Sequence, residues 1–295
     1  MDITTTRRAL AAAACALALG GVPALSAQAV PAPAQAAPAR SAAVTAAAPA
    51  LPVYFVDQDG TTSRDARGRA VPTLRLYREY VAASAGLRTV AARAEAAANA
   101  ATIEAGRRGH VNAWGERVVT DVQVQRDRIV VALDGPTRAV DAETARVAVA
   151  PVVWTVTATV GKDLPATFRS RDGKVVGPVM AGGMHRRASG LAQLKELAAV
   201  WVDSPGAGQV VPASKPVTVS GSACSPEANV AWRLTRGTSE RPGFTTASIA
   251  CPTRGSWRVG LGNLARGTYR FEAWAPGSGE GQAPVGRVVR TFTVR

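Results

Sequence analysis

A chain of 295 residues, 47% of them hydrophobic, has apolar material for ordinary cores and length for about two domains. The formal net charge is +14, yet lysine occurs only at Lys162, Lys174, Lys195 and Lys215, so arginine carries nearly all of it. An arginine and alanine bias of this kind reflects G+C-rich coding as much as selection for a polyanion, so charge alone does not make a nucleic-acid binder.

The first segment, "TTTRRALAAAACALALGGVPALSAQA", has a basic start at Arg7 and Arg8, an apolar stretch to about Leu19, and small residues before Ala29. Ala27-Gln28-Ala29 fits the A-x-A pattern, so an export signal is expected over 1–29 with cleavage after Ala29. The apolar stretch is short and is followed by Gly20, Gly21 and Pro23, which suits a signal better than a retained span. The arginine pair leaves general secretory and twin-arginine export both open, and Cys15 sits too early for a lipidation cysteine. Cleavage leaves Cys224 and Cys251, and an even pair in an exported chain reads as one disulfide. Residues 30–50 are Pro/Ala-rich without periodicity, an extended linker.

Order is expected from "LPVYFVD", a strand over Leu51–Val56 closed by a turn at Asp57-Gln58-Asp59-Gly60. A second strand follows at "TLRLYREYV", then an alanine-rich helix from Leu87 to Gly106. Val118 to Leu133 reads as a hairpin about Arg126-Asp127. A helix begins near Asp141 and should kink at Pro151, and its apolar run is too short to cross a bilayer. "ATFRSRDGKVVG" reads as a strand pair about Asp172-Gly173. This is a ββαββαβ order, an α+β domain over 51–185. A connector with one helical turn covers 186–198, and from 199 to 295 the pattern is strands only. Seven short strands with Gly/Pro turns indicate an antiparallel sandwich.

Chemistry is sparse. His110 and His185 lie far apart among arginines and glycines, which reads as two solvated loop histidines and no metal site. There is no G-x-S-x-G elbow and no H-E-x-x-H pair. Asp57, Asp59, Asp65, Asp121, Asp127 and Asp134 fall at strand ends and turns, where aspartate belongs for turn chemistry alone. "GAGQVV" is followed by Pro212 and more strand, and "GLGNLARG" joins two strands, so neither opens a helix that would hold a phosphate. No catalytic residue, metal, cofactor or nucleotide is expected.

Surface recognition remains. In "NVAWRL", "SWRVGL" and "TYRFEAW", Trp232 and Trp257 fall on core faces, while Arg233, Arg258, Arg270 and Trp274 fall on outer ones. They form a candidate basic–aromatic patch, weighed against an ordinary solvated sheet face.

"WVDSPGAGQVVPASKPVTVSGSACSPEANVAWRL", with "FTTASIACPTRGSWRV" after it, resembles the immunoglobulin-like domain of bacterial spore germination proteins. "LPVYFV…RLYREYV" through "VVALDG…ATFRSRDGKVV" is similar to the GerMN (sporulation/germination) domain that often precedes it. The loop "GRRGHVNAWGE" departs from that pattern, as does the Cys224–Cys251 pair, which would clamp two strands. The resemblance implies an α+β N-terminal domain followed by an all-β immunoglobulin-like sandwich. It also implies a secreted or envelope-associated, non-enzymatic protein with a binding or structural role, and the basic–aromatic patch would suit an anionic cell-wall polymer or an envelope protein as its partner. No nucleic acid, and no membrane span after signal removal, is expected. An envelope hydrolase or wall-modifying enzyme is the alternative, and a pure spacer a third reading.

Overall fold

The computed structural model describes residues 50–65, 67–115, 117–135, 142–170, 183–277 and 284–295. The export segment, Cys15, Ala29, nearly all of the linker and the Asp172-Gly173 turn lie outside the described residues.

Strands β1 (Ala50–Arg64) and β2 (Ala70–Ala82) form a long antiparallel hairpin. "LPVYFV" shows no alternation because both of its faces are covered. Leu51, Val53 and Phe55 enter a core shared with the helices, whereas Tyr54 and Val56 enter the core of the sandwich. The expected turn at Asp57-Gln58-Asp59-Gly60 is corrected here: β1 runs through it, with a register shift between Gln58 and Thr62. Asp59 is buried, accepts from the Thr61 backbone N–H at 2.8 Å and its hydroxyl at 2.6 Å, and faces Arg75 at 3.5 Å. The hairpin closes instead at Asp65, whose carboxylate accepts from the N–H groups of Arg67 and Arg69, both at 2.9 Å.

Helix α1 (Val90–Asn99) starts where the Thr89 hydroxyl caps the Ala92 N–H at 3.1 Å. Its buried residues are Ala94, Ala97 and Ala98, a stripe without bulk that lets the helix backbone lie close to its neighbours. The helix continues as a π-helical segment, Ala100–Glu104, and a 3-10 turn, Gly106–Arg108. Strands β3 (Val119–Val124) and β4 (Ile129–Leu133) form the next hairpin, and helix α2 (Ala142–Val160) contains Pro151 without ending there. Strand β5 (Ala166–Ser170) pairs in parallel with β4, so β4, α2 and β5 make a crossover unit. The connector pairs His185 with Ala166 and carries the short helix α3 (Gly190–Glu196).

The remaining strands are β6 (Val200–Ser204), β7 (Val210–Val211), β8 (Val217–Ala223), β9 (Asn229–Arg236), β10 (Ser239–Thr246), β11 (Gly255–Gly262), β12 (Gly267–Ala275) and β13 (Val285–Val294). They build two sheets, β10-β9-β12-β13-β7 and β11-β8-β6. The strand expected at "FTTASIA" starts earlier and stops at Thr246, because Gly237, at φ +55°, closes a two-residue hairpin after Arg236. Between the sheets, Phe271 stacks with Trp232 and Trp257 at centroid distances of 5.9 and 6.4 Å. Gly243 leaves the space that the Trp232 ring fills: a Cβ there would lie 2.3 Å from it. The Cys224–Cys251 disulfide, with Cα atoms 4.8 Å apart, ties the end of β8 to the loop before β11. "GAG" at Gly206 joins β6 to β7, and "GLG" at Gly260 ends β11.

One hydrophobic cluster runs from the hairpin into the sandwich. Trp201 sits at the seam, donating its indole N–H to the Leu76 carbonyl at 3.0 Å and meeting Tyr54 edge-on at 5.6 Å. Arg78 of β2 lies over one side of Trp201, at 4.7 Å, and forms a two-pronged bond with Asp203 at 3.1 and 2.7 Å. Asp203→Asn leaves the Arg78 cation without its counter-charge at this half-buried seam. It should lower unfolding stability by about 2 kcal/mol, measured by urea denaturation. Removing the disulfide by Cys224→Ala and Cys251→Ala should lower it by up to about 3.5 kcal/mol. With the bridge intact, a thiol reagent should leave both Cys224 and Cys251 unlabelled.

Candidate functional site

The outer face of the five-stranded sheet can be read row by row from its register. Phe244, Ala231 and Trp274 stand side by side across β10, β9 and β12, and Pro242, Arg233, Glu272 and Val289 form the next row. Glu240, Thr235, Arg270 and Thr291 form the third. Residues opposite one another on neighbouring strands share a face.

Glu272 is the centre of this face. It is only 1% exposed on an outer surface because arginines cover it: Arg270 at 2.8 Å, Arg233 at 3.7 Å, and Arg287, which also bonds it directly. Arg233 additionally faces Glu240 at 3.4 Å and lies 5.8 Å from the Trp274 ring centroid. Phe244 is 75% exposed, and Val289 is also exposed. The face therefore presents aromatic surface among arginines fixed in place by a shared carboxylate. The charges of Arg233, Arg270 and Arg287 against Glu240 and Glu272 leave a net of only +1.

Of the four residues expected to form a patch, the structure brings together Arg233, Arg270 and Trp274. Arg258 is the exception: it lies on β11, in the other sheet, exposed on that sheet's outer side. The three strand segments look alike in sequence, but strand order assigns them to different sheets. Arg287, Phe244 and the role of Glu272 were not visible from alternation. Alternation places Glu272 on the polar face, and only the register surrounds it with arginines.

A second cluster lies at the seam, around His110. Gly109, at φ +82°, reverses the chain after the 3-10 turn, and Val111 bridges to Val56 of β1. Trp114, buried, donates its indole N–H to the Ala148 carbonyl at 2.6 Å and pins the same loop to α2. His110 is thereby laid flat on Phe55, at 4.7 Å, with Nδ1 3.1 Å from Asp57 and Nε2 3.1 Å from Glu79. Glu79 also meets Arg290 of β13 at 3.1 Å and Arg108 at 3.4 Å. The expectation of a solvated loop histidine is corrected: the His110 side chain is 9% exposed and bracketed by two acids. Asp57 likewise serves this network and not a turn. The signal that could have found it is the loop "GRRGHVNAWGE" itself, whose tryptophan implies a buried anchor.

Burial pulls the His110 pKa down, but its hydrogen bonds to Asp57 and Glu79 outweigh this and raise it. Burial pushes Glu79 up, while His110, Arg290 and Arg108 hold it down at about 2. The two ring nitrogens point at different carboxylates, so the donors do not converge on one point. Among the described residues no group of His, Cys, Asp and Glu could hold a metal ion. His185 lies edge-on to Phe168 at 5.7 Å, with its pKa lowered by burial. Among the described residues no helix is long and apolar enough to cross a membrane.

The C-terminal part of the chain is an immunoglobulin-like sandwich. Residues 199–279 match the family described as the immunoglobulin-like domain of bacterial spore germination. No curated protein matches the chain. Among solved structures, the crystal structure of an engineered protein is similar over 49% of this chain and 35% of its own length, at 14% identity and a TM-score of 0.27. The likeness thus spans about a third of that protein.

The His110 network sets a pH window. A protonated imidazole donates to both carboxylates, whereas a neutral one has a single N–H. With its pKa raised in the fold, His110 contributes fully below its ordinary 6.5 and loses this as pH climbs through the raised value. Glu79, held low, contributes fully above its ordinary 4.5 and loses this as pH falls towards about 2. The stability lost in His110→Gln should therefore be greatest between pH 4.5 and 6.5 and shrink at higher pH, measured by urea unfolding across pH. A difference that does not vary with pH would contradict the network.

Proposed function

We propose that this chain is an exported, non-enzymatic cell-envelope protein of the spore-germination type, with a GerMN-like first half, that docks an envelope protein through the outer face of the five-stranded sheet. The observation that carries the reading is the exposed Phe244 beside Trp274 on a face whose arginines are held by Glu272. Aromatic residues and arginine are the types that dominate binding energy at protein interfaces. Arginines already in position lose less freedom on docking than mobile ones. The match of residues 199–279 to a spore germination domain supports an envelope setting.

The non-enzymatic part is supported by the state of the best-placed histidine. Both His110 nitrogens are engaged by carboxylates, which leaves no free acceptor to take a proton from a nucleophile. The formal charge of +14 favours a second reading, in which the partner is an anionic wall polymer. The two differ in what they need: polymer binding depends on net charge and falls steeply with salt, whereas docking depends on the aromatics.

Phe244→Ala and Trp274→Ala should each weaken retention on an envelope protein fraction about tenfold, at constant stability, with Arg258→Ala as the unaffected control. Arginine removal is best done together with Glu272→Gln, because Glu272 alone would be left as a buried, uncompensated anion. Binding to purified, protein-free wall that is abolished by salt and indifferent to the aromatic variants would favour the polymer. Turnover of wall fragments would sink both readings.

A further inference from the structure

Where the connector meets the sandwich, a cavity of about 460 Å³ opens beside the Cys224–Cys251 bridge. This falls within the range of about 300–1,000 Å³ usual for small-molecule sites. Leu194 and Leu197 of the connector, with Pro252 and the disulfide, make an apolar wall; Arg75, Arg254 and Gln193 make a polar one. Among the described residues no aspartate or glutamate lines it.

Arg254 is the group that calls for a partner. Its guanidinium lies 3.7 Å from the Trp201 ring centroid and donates to the carbonyls of Ala199 at 3.3 Å, Ser222 at 3.2 Å, and Ala198. These carbonyls hold it in place but carry no net charge. Among the described residues it meets no carboxylate within ion-pair reach, and Asp203 is bound to Arg78 on the same tryptophan. Arg75, the other cation, stands 3.5 Å from Asp59. Buried cations are ordinarily paired with acids. Burial first, and then the neighbouring Arg78, pull the Arg254 pKa down to about 9, which accords with a cation short of counter-charge.

We propose that this cavity binds a small organic carboxylate carrying an apolar group, with the carboxylate at Arg254 and the apolar body against Leu194, Leu197 and Pro252. The guanidinium fork suits a planar carboxylate. A simple inorganic anion would leave the apolar wall wet. Because the cavity joins β2, the connector and the sandwich, an occupant would touch all three elements. This site is separate from the sheet face that carries the proposed docking function, so either can fail without the other.

The test is calorimetric titration of the full chain with N-acetylleucine, N-acetylleucinamide and inorganic phosphate. N-acetylleucine should bind at least about tenfold more tightly than the amide, which has the same body without the charge, and than phosphate. Arg254→Gln should abolish binding, but Arg254 also supports Trp201, so a second variant guards against misfolding. Leu194→Glu sets a carboxylate on the far wall while leaving Arg254 intact. It should cost at least about tenfold in affinity at unchanged thermal stability. Equal binding of acid and amide, phosphate binding as tightly as N-acetylleucine, unchanged binding in Leu194→Glu, or no heat with N-acetylleucine at millimolar concentration would each overturn the proposal.

Discussion

The seating of Trp201 against two arginines is the interaction on which the rest of the structure depends. Its ring has Arg78 at 4.7 Å and Arg254 at 3.7 Å, and its N–H is spent on the Leu76 carbonyl of β2. The N–H of a buried tryptophan usually takes an acceptor, and for Trp201 the acceptor comes from the other half of the chain. Asp203, two residues along β6, completes the joint by gripping Arg78. The first strand of the sandwich is thus also the peg that docks it. This explains why the hairpin strand "LPVYFV" is apolar on both faces: one face belongs to its own helices, the other to the sandwich.

Arginine is used in this protein as a structural side chain. Arg78, Arg233 and Arg254 lie near aromatic rings, and Arg78, Arg270, Arg287 and Arg290 each bond a buried or half-buried carboxylate. A planar, permanently charged fork can stack and hydrogen-bond at once, which an ammonium cannot do. Arg78, Arg254 and Arg290 are spent within the fold, and the outer sheet face is arginine-rich but nearly neutral. That balance is why the proposed docking rests on shape and aromatic contact and not on charge alone.

How much of this was legible in the sequence depended on whether a feature was local. Alternation placed Val230, Trp232 and Leu234 inward and Arg233 outward, and it did so correctly because a strand's period needs no knowledge of its neighbours. The Cys224–Cys251 bridge followed from an even count of cysteines together with the expectation of export. Features that need register did not follow. "DQDG" carries every mark of a turn, yet the strand passes through it because Asp59 finds partners in Thr61 and Arg75. Arg258 looks equivalent to Arg233 until strand order puts it in the other sheet. His110 looks solvated until Gly109 and Trp114 fold its loop back over Phe55, between two carboxylates contributed by neighbouring strands.

The central claim is that the hairpin, its helices and the sandwich form one folded unit, closed by Trp201 and by the ion pairs flanking it. Urea unfolding of the full chain, followed at once by far-ultraviolet circular dichroism and tryptophan fluorescence, tests this most directly. The account predicts a single transition with coincident midpoints in both signals. Two separated transitions, with the sandwich still folded after the first half has melted, would contradict it.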